Sequence, residues 1–211
     1  MSPASGRPWG SCRQEEAISM PLNTQIQFLL TADRLKSVIR NNKLVSGERY
    51  ENSAEHTWHA LLQTMVLADH APKETDLGHV LKLLVVHDLI EIEAGDHWVT
   101  EENAAEVHAL EQAAAEKVFS LLPEEQRREF KALWHEFEDA ATQEAKFANA
   151  MDALHPMLMV FGPGSSGESH TDLSAALLRK KKEPKLSPFP TLWDYGQSLL
   201  EEAEKKGFLS P

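Results

Sequence analysis

Adjacent histidine and aspartate residues, His87 and Asp88, interrupt an apolar run, VLKLLVVHDLIEIEAGD (80–96). A carboxylate beside an imidazole is costly to bury there without compensation, and a divalent cation satisfies both. His56, in SAEHTWHALLQTM, and Asp152, in NAMDALHPMLM, sit in similarly apolar surroundings, where a polar side chain needs a partner. Each has an ordinary explanation alone: a carbonyl-bonded histidine at 56, and an ion pair with Lys146 or His155 at 152. Four such residues in three segments are hard to read as independent accidents, and two nitrogens with two oxygens suit Zn, Mn, Co or Fe. Glu91 follows Asp88 by three residues, which places it near the same helix face. Asp96, just past Gly95, can reach the same mouth from a loop. The plainer reading of Glu91 and Glu93 is a solvated face.

The elements that must position these residues are helical nearly throughout, with no sustained period-two alternation. The apolar spacing predicts a first helix over about 24–40, closed by Arg40, whose charge would complement the helix dipole. A second helix is expected over 54–70 with Ser53 as N-cap, and a third over 76–93 ending at Gly95. A fourth spans 103–122, a fifth runs from Pro123 to about 138, and a sixth runs from Thr142 to Val160. FGPGSSGES and KKKEPKLSPFP are expected to be irregular, the former a mobile loop, with a last amphipathic helix over 191–206. The expectation is an all-α globule of six to eight helices. Residues 1–20 are expected to form a disordered leader and 21–211 one domain, with its core in 31–160 and a C-terminal loop and helix in 161–211.

Composition narrows the partners. The net charge is −12, and the basic residues are scattered apart from Arg179–Lys182, so a nucleic-acid polymer is not the expected ligand. A small anion remains compatible, because a cation and one or two arginines can reverse the field inside a pocket. No apolar run approaches the ~20 residues needed to span a bilayer. The single cysteine, Cys12, allows no disulfide framework, and a cytoplasmic location is expected.

The order H…HD…D resembles the HD-domain metal-dependent phosphohydrolases. ENSAEH (51–56), HDLIEIEAGD (87–96) and TQEAKFANAMD (142–152) resemble the 5′-deoxynucleotidase branch of that superfamily, the YfbR-like proteins and their eukaryotic relatives, over about Thr31 to Val160. The resemblance implies one divalent ion (Co, Mn, Zn, Fe or Mg) held by His56, His87, Asp88 and Asp152, hydrolysis of (deoxy)nucleoside 5′-monophosphates, and a homodimer. It also implies that Glu91 and Asp96 handle protons, with Glu91 positioning the water and Asp96 on the leaving group or sugar, and that Arg40 contacts the substrate phosphate. Glu55 is placed to orient His56 or Arg40, and Glu144 to support the site from two turns before Asp152. The bacterial enzymes follow the arginine with Trp, where this chain has Asn41. Alternatives are an HD phosphodiesterase or nucleoside triphosphohydrolase, a binuclear site recruiting among His59, His97, His108 and His155, and a non-catalytic sensor or interaction module. Trp58, Trp98, Trp134 and Trp193 read as core or rim aromatics, with Trp98 close enough to Asp96 to stack on a base.

Overall fold

The computed structural model describes residues 12–97, 103–165 and 173–210, with backbone alone for 12–20. Among them, α1 (Cys12–Ala32) leads through a 3₁₀ turn to β1 (Ile39–Lys43) and β2 (Tyr50–Asn52). There follow α2 (Ser53–Val66), α3 (Leu77–His87), the single turn α4 (Glu91–Ala94) and α5 (Ala104–Phe119). The chain then forms α6 (Glu124–Asp139), α7 (Gln143–Phe161), α8 (Ala175–Leu186) and α9 (Pro190–Lys205). The fold is helical, with one small antiparallel ribbon.

α7 is the central element. It starts where the Thr142 hydroxyl accepts from the Ala145 amide, and it buries residues all round, Phe147, Met151, Leu154 and Met157 among them. A helix apolar on every side belongs inside the core, and α2, α3, α6, α8 and α9 pack against it. Asp152 therefore emerges mid-helix at the heart of the molecule. On α3, Val80, Leu83 and Leu84 are fully buried. Their helix is N-capped by Asp76, whose carboxylate accepts from the His79 amide at 3.1 Å.

Four expectations need correction. The first helix does not reach Arg40: it ends at Ala32, and a 3₁₀ turn over Asp33–Ser37 leads into β1. Its supposed apolar face is largely open, with Leu29 and Leu30 more than 60% exposed, while Phe28 is buried edge-on to Phe130. β-Branched Val38 and Ile39 favour extended backbone, and the Ser53 amide donates to the Val38 carbonyl at 3.0 Å. The stretch GERYEN (47–52), read from the sequence as a loop and not as a strand, contributes β2, with pairs Ile39↔Asn52 and Lys43↔Tyr50. Strands of five and three residues are too short for a period-two signal. The third helix, expected to continue to Glu93, stops at His87, and a 3₁₀ turn over Asp88–Ile90 precedes α4. Gly95 closes that segment at φ +82°, a conformation that favours glycine. Finally, KKKEPKLSPFP is largely helical, because α8 runs on through Pro184.

α1 begins at Cys12, inside the stretch expected to be leader. Trp134 is a core residue, whereas Trp58 is 65% exposed. Trp98 and most of the GPGSSGES segment lie outside the described residues.

Candidate metal centre

Three elements converge on one point. α2 supplies His56, the α3 terminus His87 and Asp88, and α7 Asp152. His56 Nε2 lies 3.2 Å from Asp152 Oδ1 and 3.9 Å from Asp88 Oδ2. His87 Nε2 lies 3.0 Å from Asp88 Oδ1 and 3.9 Å from Asp152 Oδ1. Donors about 2.1 Å from a shared cation would stand roughly 3.0–3.5 Å apart, so the His56–Asp152 and His87–Asp88 pairs already have the spacing a metal imposes, and the two 3.9 Å pairs lie just outside it.

The imidazoles are already oriented for it. His87 Nδ1 donates to the Leu84 carbonyl at 2.7 Å, which leaves the Nε2 lone pair facing the acids. That Nε2 is buried and has no hydrogen-bond partner, as a metal donor should be. His56, fully buried, shares a 3.0 Å Nδ1–Nδ1 contact with His155, and His155 Nε2 meets His59 Nδ1 at 3.2 Å. Burial and the Arg40 charge oppose a proton on His56. A hydrogen bond to Asp152, with the Glu51 carboxylate 3.8 Å from Nδ1 and Asp88 nearby, overcomes both and lifts its pKa to about 9. The cluster is thus an electrostatic well for positive charge.

Arg40, brought in by β1, is the hub of the surrounding acids. Its Nη1 lies 3.4 Å from both Asp88 and Glu91 and 3.9 Å from Asp96, and its Nε lies 3.7 Å from Glu51. Desolvation works against the guanidinium, yet the carboxylates hold it firmly protonated. Glu91 also accepts from the Ser53 hydroxyl. Its burial and the neighbouring Asp88 carboxylate raise its pKa to about 8 despite Arg40 and Ser53.

Two cavities flank the centre, both touching Arg40 and Asp152. The smaller, about 130 Å³, is lined by Asn41, Asp96, Pro156, Val160 and Lys182 among others. The larger, about 470 Å³, is lined by Asp88, Glu91, Glu111 and Glu138 along with His108 and Lys185. Glu91 and Asp96 thus face opposite chambers.

Two expected supports are elsewhere. Glu55 completes a capping box at the start of α2: its amide donates to the Asn52 side chain, and its carboxylate accepts from the Asn52 amide. Asn52, not Ser53, is therefore the N-cap. The Glu55 carboxylate is also engaged by Arg49, at 2.6 and 2.8 Å, rather than by His56 or Arg40. Glu144 accepts from the Asp76 amide at the other end of α3. Asp152 pairs with neither Lys146 nor His155 but with Lys185 of α8, at 3.4 Å. Among the described residues, the groups able to share a metal as they stand are His56–His87–Asp88 and Glu51–His56–His155; Asp152, His97 and His108 join neither, although Asp152 Oδ1 lies 3.2 Å from His56 Nε2.

The sequence reading missed Glu51, Ser53, Lys182 and Lys185. Glu51 and Ser53 lie in the quoted ENSAEH stretch, and the basic run Arg179–Lys182 was the visible trace of α8, but neither signal says where the side chains point.

An HD-domain family model matches residues 32–193. The solved structure of a predicted metal-dependent phosphohydrolase from Magnetospirillum magnetotacticum superposes with a TM-score of 0.82 at 34% identity, covering 90% of this chain and 96% of that one. Human 5′-deoxynucleotidase HDDC2 is 30% identical over 135 residues, 63% of this chain, and the chain spans 65% of that relative's length. The Schizosaccharomyces pombe 5′-deoxynucleotidase hdd1 is 31% identical over 156 residues, 71% of this chain and 77% of that protein.

Proposed function

Because this chain belongs to the HD-domain family, we propose that it is a metal-dependent phosphomonoesterase hydrolysing nucleoside 5′-monophosphates, deoxynucleotides foremost, to nucleoside and phosphate. The observation that carries this reading is the convergence of His56, His87, Asp88 and Asp152, with two further acids, Glu91 and Asp96, beside the same Arg40 nitrogen. The names of the human and fission-yeast relatives supply the substrate class.

In this reading His56, His87, Asp88 and Asp152 hold one divalent ion, which would neutralise phosphoryl charge and acidify a water. Arg40 binds a phosphate oxygen through the guanidinium edge it now shares with Asp88 and Glu91. Glu91, in the acidic chamber, orients the attacking water and takes its proton, a role its raised pKa suits. The water oxygen bonds to phosphorus as the bond from phosphorus to the ester oxygen breaks on the opposite side. Asp96, lining the other chamber, faces the leaving group or sugar, and the departing oxygen is protonated through solvent, to which Glu91 gives up the proton it took. Glu55 and Glu144 have no part in it.

A single ion is preferred to a binuclear site, since the second cluster shares His56 with the first. The protein acts in the cytoplasm on a small phosphate ester rather than a nucleic-acid polymer, in keeping with its charge of −12. No helix among the described residues is long and apolar enough to cross a membrane. It pairs as a homodimer through the exposed apolar stripe Trp58, Leu62, Met65 and Val66 on α2, which light scattering of the intact chain and of Met65→Glu tests.

The deciding experiment is phosphate release from nucleoside mono-, di- and triphosphates and bis(p-nitrophenyl) phosphate with Mn, Co, Mg or EDTA. Turnover confined to monophosphates and abolished by EDTA is expected. Preference for the diester or the triphosphates would install a phosphodiesterase or triphosphohydrolase instead, and metal binding with no turnover on any substrate would favour the sensor.

A further inference from the structure

The two chambers beside the centre differ in charge more than in size. The larger carries Glu91, Glu111 and Glu138 beyond the presumed ligands, with Lys185 its one added cation besides Arg40, and that lysine already pairs with Asp152. Burial raises the pKa of Glu138 to about 7, with Glu111 adding to the effect. A phosphate dianion placed there would meet several carboxylates at short range. The smaller chamber has Asp96 as its only acid besides Asp152 and gains Lys182. Its walls, including Pro156, Val160 and Leu178, are apolar, and Asn41 and Asn42 at its edge offer amide donors and acceptors.

Lys182 is the unexplained residue. It is partly buried on α8, and among the described residues it has no ion-pair partner, unlike Lys185 one turn on. The two acids of the same chamber are engaged elsewhere, Asp96 beside Arg40 and Asp152 with Lys185, and a part-buried ammonium with no carboxylate of its own is disfavoured unless an anion visits it. Consistent with this, burial lowers its pKa to about 8, against the pull of Asp152.

The geometry points to a division of labour: the smaller chamber receives the nucleoside of a phosphomonoester, with Lys182 gripping the phosphate beside Arg40, while the acidic chamber admits water. This rests on the phosphomonoesterase reading and adds to it a substrate-binding residue and the side from which substrate enters.

The test compares wild type with four variants. Each is loaded with Mn, and each is read by calorimetry with inorganic phosphate and by KM for deoxynucleoside 5′-monophosphates. Lys182→Met is expected to weaken phosphate binding about tenfold and raise KM similarly with kcat within about twofold, and Lys182→Arg restores both. Leu173→Trp, which fills the smaller chamber, raises nucleotide KM at least about tenfold but leaves phosphate binding intact. Ala104→Trp, on the wall of the larger chamber, changes neither. Unchanged phosphate binding in Lys182→Met, or nucleotide exclusion by Ala104→Trp and not by Leu173→Trp, overturns the assignment. A wild-type protein that hydrolyses no nucleotide sinks the nucleotidase reading alone. Phosphate calorimetry on the Lys182 variants and binding of p-nitrophenyl phosphate to the two tryptophan variants then still decide the chambers.

Discussion

Arg40→Met is the most exacting test of the hub. The substitution keeps an apolar stem in place and removes a charge that sits 3.4–3.9 Å from four carboxylates, of Glu51, Asp88, Glu91 and Asp96. At an effective dielectric near 20, each such contact is worth about 4–5 kcal/mol of gross attraction. Dehydration of the buried guanidinium offsets most of that, and breaking a buried ion pair by removing one partner costs about 3–5 kcal/mol net. In a chain of this length that corresponds to a melting temperature lower by roughly 10 °C. Measured in chelator, the deficit has a definite pH dependence. Without Arg40, Glu91 loses the charge that holds its pKa down and rises above its wild-type value of about 8. Folded Glu91 is protonated in both proteins below that value, so the deficit is level there and grows only as pH climbs past about 8, where wild type sheds the proton and the variant keeps it. Arg40→Lys recovers less than half of it, because one ammonium cannot serve Glu51 and Asp88 from opposite edges of a fork. A variant melting within about 2 °C of wild type, or a deficit no larger at about pH 9.5 than at about pH 7, would refute the hub.

His87→Ala and Asp88→Ala are expected to lose bound metal and turnover together, checked by metal analysis of the purified proteins. Glu91→Gln is expected to retain the metal and lose about 10²–10⁴-fold in kcat; loss of metal would make Glu91 a ligand. Lys182→Met is expected to be more stable than wild type by about 1–3 kcal/mol at pH 7, the same change that weakens substrate binding. The wild-type lysine's pKa is lower in the fold than unfolded, so its destabilising effect is fully present below about pH 8 and vanishes as pH rises past the unfolded value. Chemical denaturation at pH 7 and 10.5 should therefore show the gap closing. Phe119→Ala, at a fully buried position remote from the centre, should cost about 3–5 kcal/mol and leave the metal affinity of the folded protein unchanged.

What the chain determines locally was legible in it. Apolar spacing disclosed most of the helices, and a polar residue stranded in an apolar helix announces itself, which is how His56, His87, Asp88 and Asp152 stand out. Capping signals were readable to within a residue: Ser53 was expected where Asn52 does the work. What stayed hidden depends on long-range contacts. Arg40 lies on a strand rather than a helix end because residues near 39 and 52 pair, and a five-residue strand carries no periodicity of its own. Glu55 and Glu144 have the types and spacing of supporting acids, but nearer partners, Arg49 and the Asp76 amide, claim them. The lysines of α8 reach the centre only because α8 packs on α7, and nothing in KKKEPK tells which of its charges turns inward. Residue type limits which chemistry is possible, whereas direction and distance between segments a hundred residues apart are fixed by packing, and that is where the site is decided.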